Sequence, residues 1–415
     1  LNPAVVVRVP SSKSVTHRAF LLAAQSEVPC RVLHPLLGAD CRSTLAVLAG
    51  LGARFTIEGP HVQFQPIDAW RAPEAPLDCG NSGTTLRLMT GQAATAGFPV
   101  TLTGDASLQS RPNEPLLAAL RGLGAHTSAG AGGAAPLTVC GPLVAEDVTL
   151  PARTSSQYAS AILLAAAMHV PGSTKVCMRR PVASRPYLDI TLEVAGAFGL
   201  CFGIVEGDAH LVFSAPGAQR PKATAFEVEG DWSGAAFPLM AGALLGVPVT
   251  LTGLRRDSSQ GDAVVVALLR RFGLAINWVG EALELQPTRL VGAGTIDLGA
   301  APDLFPALVA LASRAAGETT FVNAPSLRHK ECDRITAMSV GLSQLAIENQ
   351  ERPDGLWVRG GPPKGGAQIA SHHDHRVHMA FAILGAETAG ITVDAHGCEA
   401  VSYPNFYADL ARISG

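Results

Sequence analysis

Residues 82–95 read SGTTLRLMTGQAAT, and five other stretches of the chain repeat that design. They are SKSVTHRAFLLAAQ from Ser12, SSQYASAILLAAAM from Ser155, WSGAAFPLMAGALL from Trp232, DLFPALVALASRAA from Asp303 and DHRVHMAFAILGAE from Asp374. Successive starts lie 70, 73, 77, 71 and 71 residues apart. Each stretch has Ser or Asp near its start, a residue able to accept from the exposed N–H groups of a first helical turn, and then small and aliphatic residues suited to a buried helix. A period of this length marks a repeated supersecondary unit.

About 30 residues after each stretch comes a second pattern: CRSTLAVLAGLGARF, EPLLAALRGLGAHT, YLDITLEVAGAFGLCF, GDAVVVALLRRFGLAI, CDRITAMSVGLSQLAI and the shorter NFYADLARIS. Their apolar residues fall near a 3.6-residue period, and the first four end close to a glycine able to close a helix. Between the two series lie short segments rich in Val, Ile, Leu and Thr, such as CRVLHP, ARFTIEG, FPVTLTG, STKVCMR, HLVFSA, VPVTLTG, ETTFVNA and GITVDA, which read as strands. The unit is therefore strand, helix, strand, helix, strand, strand, in an α/β (α+β) protein. Six such units exceed one ordinary core and divide into two halves of three. The first half is expected over residues 12–225, and the second over 226–415 with 1–11, where AVVVRV returns as a strand.

Composition agrees with this reading. The chain has 415 residues, 47% hydrophobic but only 5% aromatic, with 43 glycines and 29 prolines, so its apolar content is small and aliphatic and its elements are short. That excludes disordered, collagen-like and coiled-coil classes. A net charge of −3 does not suit a protein that coats a nucleic-acid backbone, and any anion site must be local. The eight cysteines are scattered without a CxxC pair, which fits reduced thiols in a cytoplasmic setting. The N-terminus shows no signal-peptide pattern, and the uncharged stretch 235–254 is broken by Pro238, Gly242, Gly246, Pro248 and Gly253, so no membrane span is expected.

The starts of the first-series helices collect polar residues: Lys13, Ser14 and Arg18; Asn81 to Thr85; Ser155, Ser156 and Gln157; Asp303; Asp374, His375 and Arg376. Helix N-termini favour phosphate and carboxylate, so an anionic substrate is expected. Elsewhere GDASLQSRP carries Asp105 and Arg111, ASRPYLD carries Ser184, Arg185 and Tyr187, and LRHKECDR packs Arg328, Lys330, Glu331, Asp333 and Arg334 together. Asp303 and Glu331 are candidates for proton transfer. SHHDHRVH lacks the HExxH spacing and reads as a helix start rather than a metal site, and NSGTT is neither of the common nucleotide loops.

Through SSKSVTHR, GNSGTTLR, GDASLQSRP, TSSQYASA, SRPYLD, HKECDRITAM and DHRVHMA, in order along almost the whole chain, the sequence resembles the 5-enolpyruvylshikimate-3-phosphate synthase family. The resemblance implies a two-domain enolpyruvyl transferase fold, with three βαβαββ repeats per domain (an inverse α/β barrel) and the active site in the interdomain cleft. It implies transfer of the enolpyruvyl group of phosphoenolpyruvate to the 5-hydroxyl of shikimate 3-phosphate by a cytoplasmic monomer without metal or organic cofactor. By motif, Lys13, Ser14, Arg18, Ser155, Ser156, Gln157, Ser184, Tyr187, Asp303, Ser326 and Lys330 match the shikimate 3-phosphate site. Lys13, Gly83, Arg111, Gln157, Arg334 and Arg376 match the phosphoenolpyruvate site, and Asp303, Glu331 and Lys13 match the proton-transfer groups. Three positions depart from the family pattern: Ser326 stands where Asn or His is frequent, Asn113 where Met is usual, and Val401 where many members place a lysine. The sister transferase acting on UDP-N-acetylglucosamine is the nearest rival, but GDASLQSRP has no convincing counterpart of its reactive-loop cysteine. A six-repeat anion-binding scaffold without activity would leave Asp303 and Glu331 among the cations unexplained.

Overall fold

The computed structural model describes residues 4–152 and 154–415. Residues 1–3, grouped above with the second half, lie outside the described residues. The chain divides into two compact units, one formed by Lys13–Val228 and the other by the chain up to Ser12 together with Glu229–Gly415.

Within Lys13–Val228, three four-stranded sheets share one plan. Ala225–Glu227 runs parallel to Cys30–Leu33, which pairs antiparallel with His61–Gln65, itself antiparallel to Arg54–Glu58. Leu77–Asp78, Val100–Thr103, Leu137–Cys140 and His126–Ser128 repeat this order, as do Val148–Leu150, Ser173–Arg179, His210–Pro216 and Gly203–Glu206. A parallel pair needs a crossover and an antiparallel pair only a tight turn. The helices Gly83–Ala93 and Ser156–His169 are such crossovers for the second and third sheets.

The other unit uses the same plan twice: Val5–Arg8, Val249–Thr252, Ala282–Gln286 and Ala275–Val279, then Gly294–Asp297, Glu318–Val322, Gly355–Arg359 and Asn349–Arg352. Val5 lies opposite Val249, so the N-terminal strand completes this unit's first sheet, just as Ala225–Glu227 completes the first sheet of the other. The last repeat carries only a parallel pair, Gln368–Ile369 with Thr392–Val393.

The first-series helices are Lys13–Ala23, Gly83–Ala93, Ser156–His169, Trp232–Leu245, Phe305–Ala312 and His375–Glu387. The second-series helices are Ala39–Gly50, Glu114–Gly122, Pro186–Ala197, Val265–Arg271, Arg334–Gln344 and Phe406–Ser414. Two starts differ from expectation: GDAVVVALLRR opens as a 3₁₀ turn, Gly261–Val264, before the α-helix at Val265, and Asp303 lies in a 3₁₀ turn, Pro302–Leu304, before the α-helix at Phe305. Pro306 has no N–H to return to residue 302, and the chain tightens there before the regular turns begin.

Ser156–His169 and Trp232–Leu245 are buried on nearly every face, each in the core of its own unit. Most of the 235–254 stretch is thereby accounted for as core helix and as strand Val249–Thr252; among the described residues no helix is long and apolar enough to cross a membrane. Small residues set how closely these helices approach. A Cβ at Gly91 would lie 2.5 Å from the carbonyl oxygen of Ala161 on the neighbouring helix. Replacing Gly91 with Val should therefore lower the unfolding free energy by about 2 kcal/mol, read by urea denaturation. An unchanged midpoint would show that the two helices part without cost.

Candidate active site

In the unit Lys13–Val228, a chain of polar contacts joins three helices, Lys13–Ala23, Ala39–Gly50 and Gly83–Ala93. Ser82 caps Gly83–Ala93 by accepting from the N–H of Thr85 (3.1 Å). The Thr85 hydroxyl bonds Ser82 Oγ (2.7 Å) and Thr44 Oγ1 (2.7 Å), and Thr44 in turn meets His17 Nδ1 (2.7 Å). Burial first, then the charges of Lys13 and Arg18, hold the His17 pKa well below its usual value, so this ring is neutral. Lys13 Nζ lies 2.9 Å from Asp40 Oδ2, both side chains largely covered. Arg18 is 1% exposed and donates to Thr191 Oγ1 (2.7 Å), the Ser14 carbonyl (2.9 Å) and the Tyr187 carbonyl (3.1 Å). Burial among these uncharged acceptors pulls its pKa down to about 10, still protonated at neutral pH.

Gly83 opens its helix against two guanidinium groups; a Cβ there would come within 3.3 Å of Arg111 Nη1 and 3.6 Å of Arg87 Nη1. Arg111 donates to Asn81 Oδ1 (2.6 Å) and Ser107 Oγ (3.2 Å), while its Nε is buried with no hydrogen-bond partner. Gln157, in the first turn of Ser156–His169, where Ser155 accepts from its N–H, accepts from Arg87 Nη1 (2.7 Å) and donates to Thr84 Oγ1 (3.0 Å). Ser184, at φ +51°, leads into Pro186–Ala197, whose first turn offers the Tyr187 carbonyl to Arg18. Lys13, Ser14, Arg18, Gly83, Arg111 and Gln157 are thus linked in one unit through helix starts and shared bonds.

The other unit gathers carboxylates around cations. Arg334, 1% exposed, donates to Asp374 Oδ2 (2.7 Å), Asp303 Oδ1 (2.8 Å) and Glu331 Oε2 (2.8 Å). Burial disfavours its charge, but Asp374, Glu331 and Asp303 together lift its pKa well above the usual value. Lys330 Nζ is 3.2 Å from Asp303 Oδ1, and Arg376 Nη2 is 3.4 Å from Asp303 Oδ2 and 2.8 Å from Ser233 Oγ. Asp374 also caps His375–Glu387, accepting from the N–H groups of Arg376 (2.9 Å) and Val377 (3.2 Å). Of the residues named for this half, Asp303, Lys330, Glu331, Arg334 and Arg376 come together; Ser326 lies exposed in the 3₁₀ turn Pro325–His329.

The histidine-rich stretch separates by role. His378 is buried, with Nδ1 2.7 Å from the Asp394 carbonyl and Nε2 2.6 Å from the Tyr407 hydroxyl, and His372 and His373 are exposed before the cap. Among the described residues no group of three or more His, Cys, Asp or Glu side chains is arranged to hold a metal.

Sequence reasoning missed Arg87, Asp40 and Ser233. Arg87 stands four residues after Gly83, on the same helical face one turn in, a position from which it could have been inferred. Asp40 reads as an ordinary first-turn acid until Lys13, 27 residues earlier, is seen against it.

Paired α/β units of repeated strands and helices, with cations and carboxylates collected at helix starts, define the enolpyruvyl transferase fold. Residues 4–410 match the model of the family described as EPSP synthase (3-phosphoshikimate 1-carboxyvinyltransferase). A 3-phosphoshikimate 1-carboxyvinyltransferase of Methanococcoides burtonii is 37% identical over 409 residues, spanning 97% of this chain and 94% of that protein. One of Halobacterium salinarum is 40% identical over 420 residues, spanning 98% and 95%. A solved EPSP synthase from Acinetobacter baumannii is 30% identical and superposes with a TM-score of 0.79 over 98% of this chain and 95% of its own. The chain belongs to the EPSP synthase family.

Because Arg334 is shared by three carboxylates, replacing it with Met should lower stability by about 3 kcal/mol or more, since buried charges would lose their partner. Replacement with Lys, which keeps the charge but not the fork, should fall between Met and the parent in urea unfolding. Equal stability of all three proteins would show the ion-pair cluster to be energetically idle.

Proposed function

We propose that the chain carries out its family's reaction, moving the enolpyruvyl group of phosphoenolpyruvate to the 5-hydroxyl of shikimate 3-phosphate. The products are 5-enolpyruvylshikimate 3-phosphate and inorganic phosphate. The hydroxyl oxygen bonds to C2 as a proton is added at C3, turning the methylene into a methyl group and C2 into a tetrahedral centre. The C2–O bond to phosphate then breaks, and the methyl group gives up a proton as the double bond returns.

Asp303 carries the reading. It is a carboxylate within ion-pair distance of Lys330, Arg334 and Arg376, in a unit whose cations suit a phosphorylated acid. Neighbouring cations favour its ionised form, so it serves as the base toward the attacking hydroxyl. Glu331 and Lys13 move the proton at C3. Lys13, Ser14, Arg18, Ser155, Ser156, Gln157, Ser184, Tyr187, Ser326 and Lys330 hold shikimate 3-phosphate with Asp303. Lys13, Gly83, Arg111, Gln157, Arg334 and Arg376 hold phosphoenolpyruvate; arginine forks and helix N-termini offset phosphate and carboxylate charge and keep it in place as the tetrahedral centre forms.

The two units correspond in this reading to the two three-repeat domains. Scattered cysteines, none of them in a disulfide among the described residues, suit a cytoplasmic setting, and the working enzyme is taken as a monomer. The chemistry as written uses no metal or organic cofactor.

The direct test is phosphate release from phosphoenolpyruvate with shikimate 3-phosphate, run in parallel with UDP-N-acetylglucosamine. Activity only with the latter would reverse the substrate assignment. Asp303→Ala should keep its fold and most of its ligand affinity while turnover drops about 100-fold or more, as expected for removal of a general base; near-normal turnover would remove Asp303 from that role.

A further inference from the structure

Asp262 takes no part in the chemistry above, yet it is one of the more constrained carboxyl groups in its unit. It lies in the 3₁₀ turn Gly261–Val264, 6% exposed, and its Oδ1 is buried with no hydrogen-bond partner. The turn is firmly placed. Gln260, immediately before it, accepts from the N–H of Trp232 (3.0 Å) and donates to the Gly230 carbonyl (2.9 Å), while the N–H of Ala263 returns to the Gln260 carbonyl (3.0 Å). These bonds fix Asp262 to the start of Trp232–Leu245, where Asp231 caps the helix through the N–H of Gly234 (2.8 Å).

The fields of four charged groups reach it: Asp231 at that helix start, Asp303 in Pro302–Leu304, Lys330 in the loop after Pro325–His329, and Arg376 in His375–Glu387. Arg376 lies close to the same helix start, its Nη2 2.8 Å from the Oγ of Ser233, the residue after Trp232, and 3.4 Å from Asp303 Oδ2. Burial works against a negative charge here, Asp303 and Asp231 add to that, and Arg376 and Lys330 only partly counter it; the pKa is raised to about 8. The two cations are already engaged with Asp303. A further carboxylate would stand without a donor of its own and would reduce the positive field around Arg376.

We propose that Asp262 is a positioning residue that stands as a neutral carboxylic acid beside Asp303 and Arg376, leaving the Arg376 charge available to the phosphoenolpyruvate anion. When Asp262 loses its proton to solvent, that anion binds more weakly. The proposal rests on Arg376 as a phosphoenolpyruvate ligand.

The measurement is KM for phosphoenolpyruvate from pH 6.5 to 9.5 with shikimate 3-phosphate saturating. In the parent enzyme KM should rise about three- to tenfold as Asp262 ionises around pH 8, as expected when a like charge appears beside an anion's ligand. In Asp262→Asn, which stays neutral throughout, that rise should be absent. A rise of the same size and midpoint in both proteins overturns the proposal, and a merely structural role would leave the profile unmoved. The parent enzyme offers a second reading that needs no variant to fold: with ¹³C-labelled aspartate, one carboxyl resonance should titrate near pH 8, and titration of every aspartate below pH 6 overturns the proposal. The Arg376 assignment is separable. An unchanged KM in Arg376→Gln would overturn the binding half of the proposal, whereas the labelled aspartates report the proton alone.

Discussion

Asp374 has to satisfy two positive ends at once. Its side chain is fully buried, its Oδ1 accepts from the first N–H groups of His375–Glu387, and its Oδ2 accepts from Arg334 Nε. A buried carboxylate is sustainable only when both oxygens are so engaged, and that requirement fixes the helix start and the arginine relative to each other. Arg334 then passes the constraint on: its other two nitrogens hold Asp303 and Glu331, the two acids of the proposed chemistry. The helix cap, Arg334 and the two further carboxylates of this unit are thus parts of one electrostatic arrangement, and none of them can shift alone.

The two units distribute charge differently. In Lys13–Val228 the arginines Arg18, Arg87 and Arg111 bond to carbonyl, hydroxyl and amide oxygens, which engage their donors without cancelling their charge. In the other unit Lys330, Arg334 and Arg376 stand among Asp303, Glu331 and Asp374, so cations and carboxylates are nearly matched. Surplus positive charge belongs to the first unit and acid–base capacity to the second. An enzyme that binds two multiply charged anions and also moves protons needs both, and a chain of net charge −3 supplies them only by local segregation.

The repeat was legible because each unit restates the same two periodicities and has Ser or Asp near the start of its first helix; Ser82, Ser155, Asp231 and Asp374 cap theirs. Helix starts therefore emerged with the residues attached to them: Lys13, Gly83, Gln157, Asp303 and Arg376 all lie within a turn of such a start. What stayed hidden depends on pairings across long stretches of chain. Arg18 meets Thr191, 173 residues away, and Arg376 meets Ser233, 143 residues away. Asp262 was hidden for another reason. In GDAVVVALLRR it looks like a helix-opening acid, and only burial and its neighbours distinguish it from a solvated one.

The departures from the family pattern acquire physical content in the same way. Asn113, where Met is usual, is 1% exposed, and two of its side-chain bonds reach the arginine group: Oδ1 accepts from Arg87 Nε (3.1 Å) and Nδ2 donates to the Arg111 carbonyl (3.0 Å), with a third from Nδ2 to the Gly133 carbonyl (3.2 Å). Arg87, held there at one nitrogen and by Gln157 at another, also lies over the Tyr158 ring at 5.4 Å. A thioether could make none of these bonds. Val401 ends the 3₁₀ turn Cys398–Val401 with no charge to offer where a lysine is frequent. A cation that is already braced loses less side-chain freedom when an anion arrives. Asn113 thus braces arginines within one unit, and Val401 leaves its own turn in the other unit without a cation.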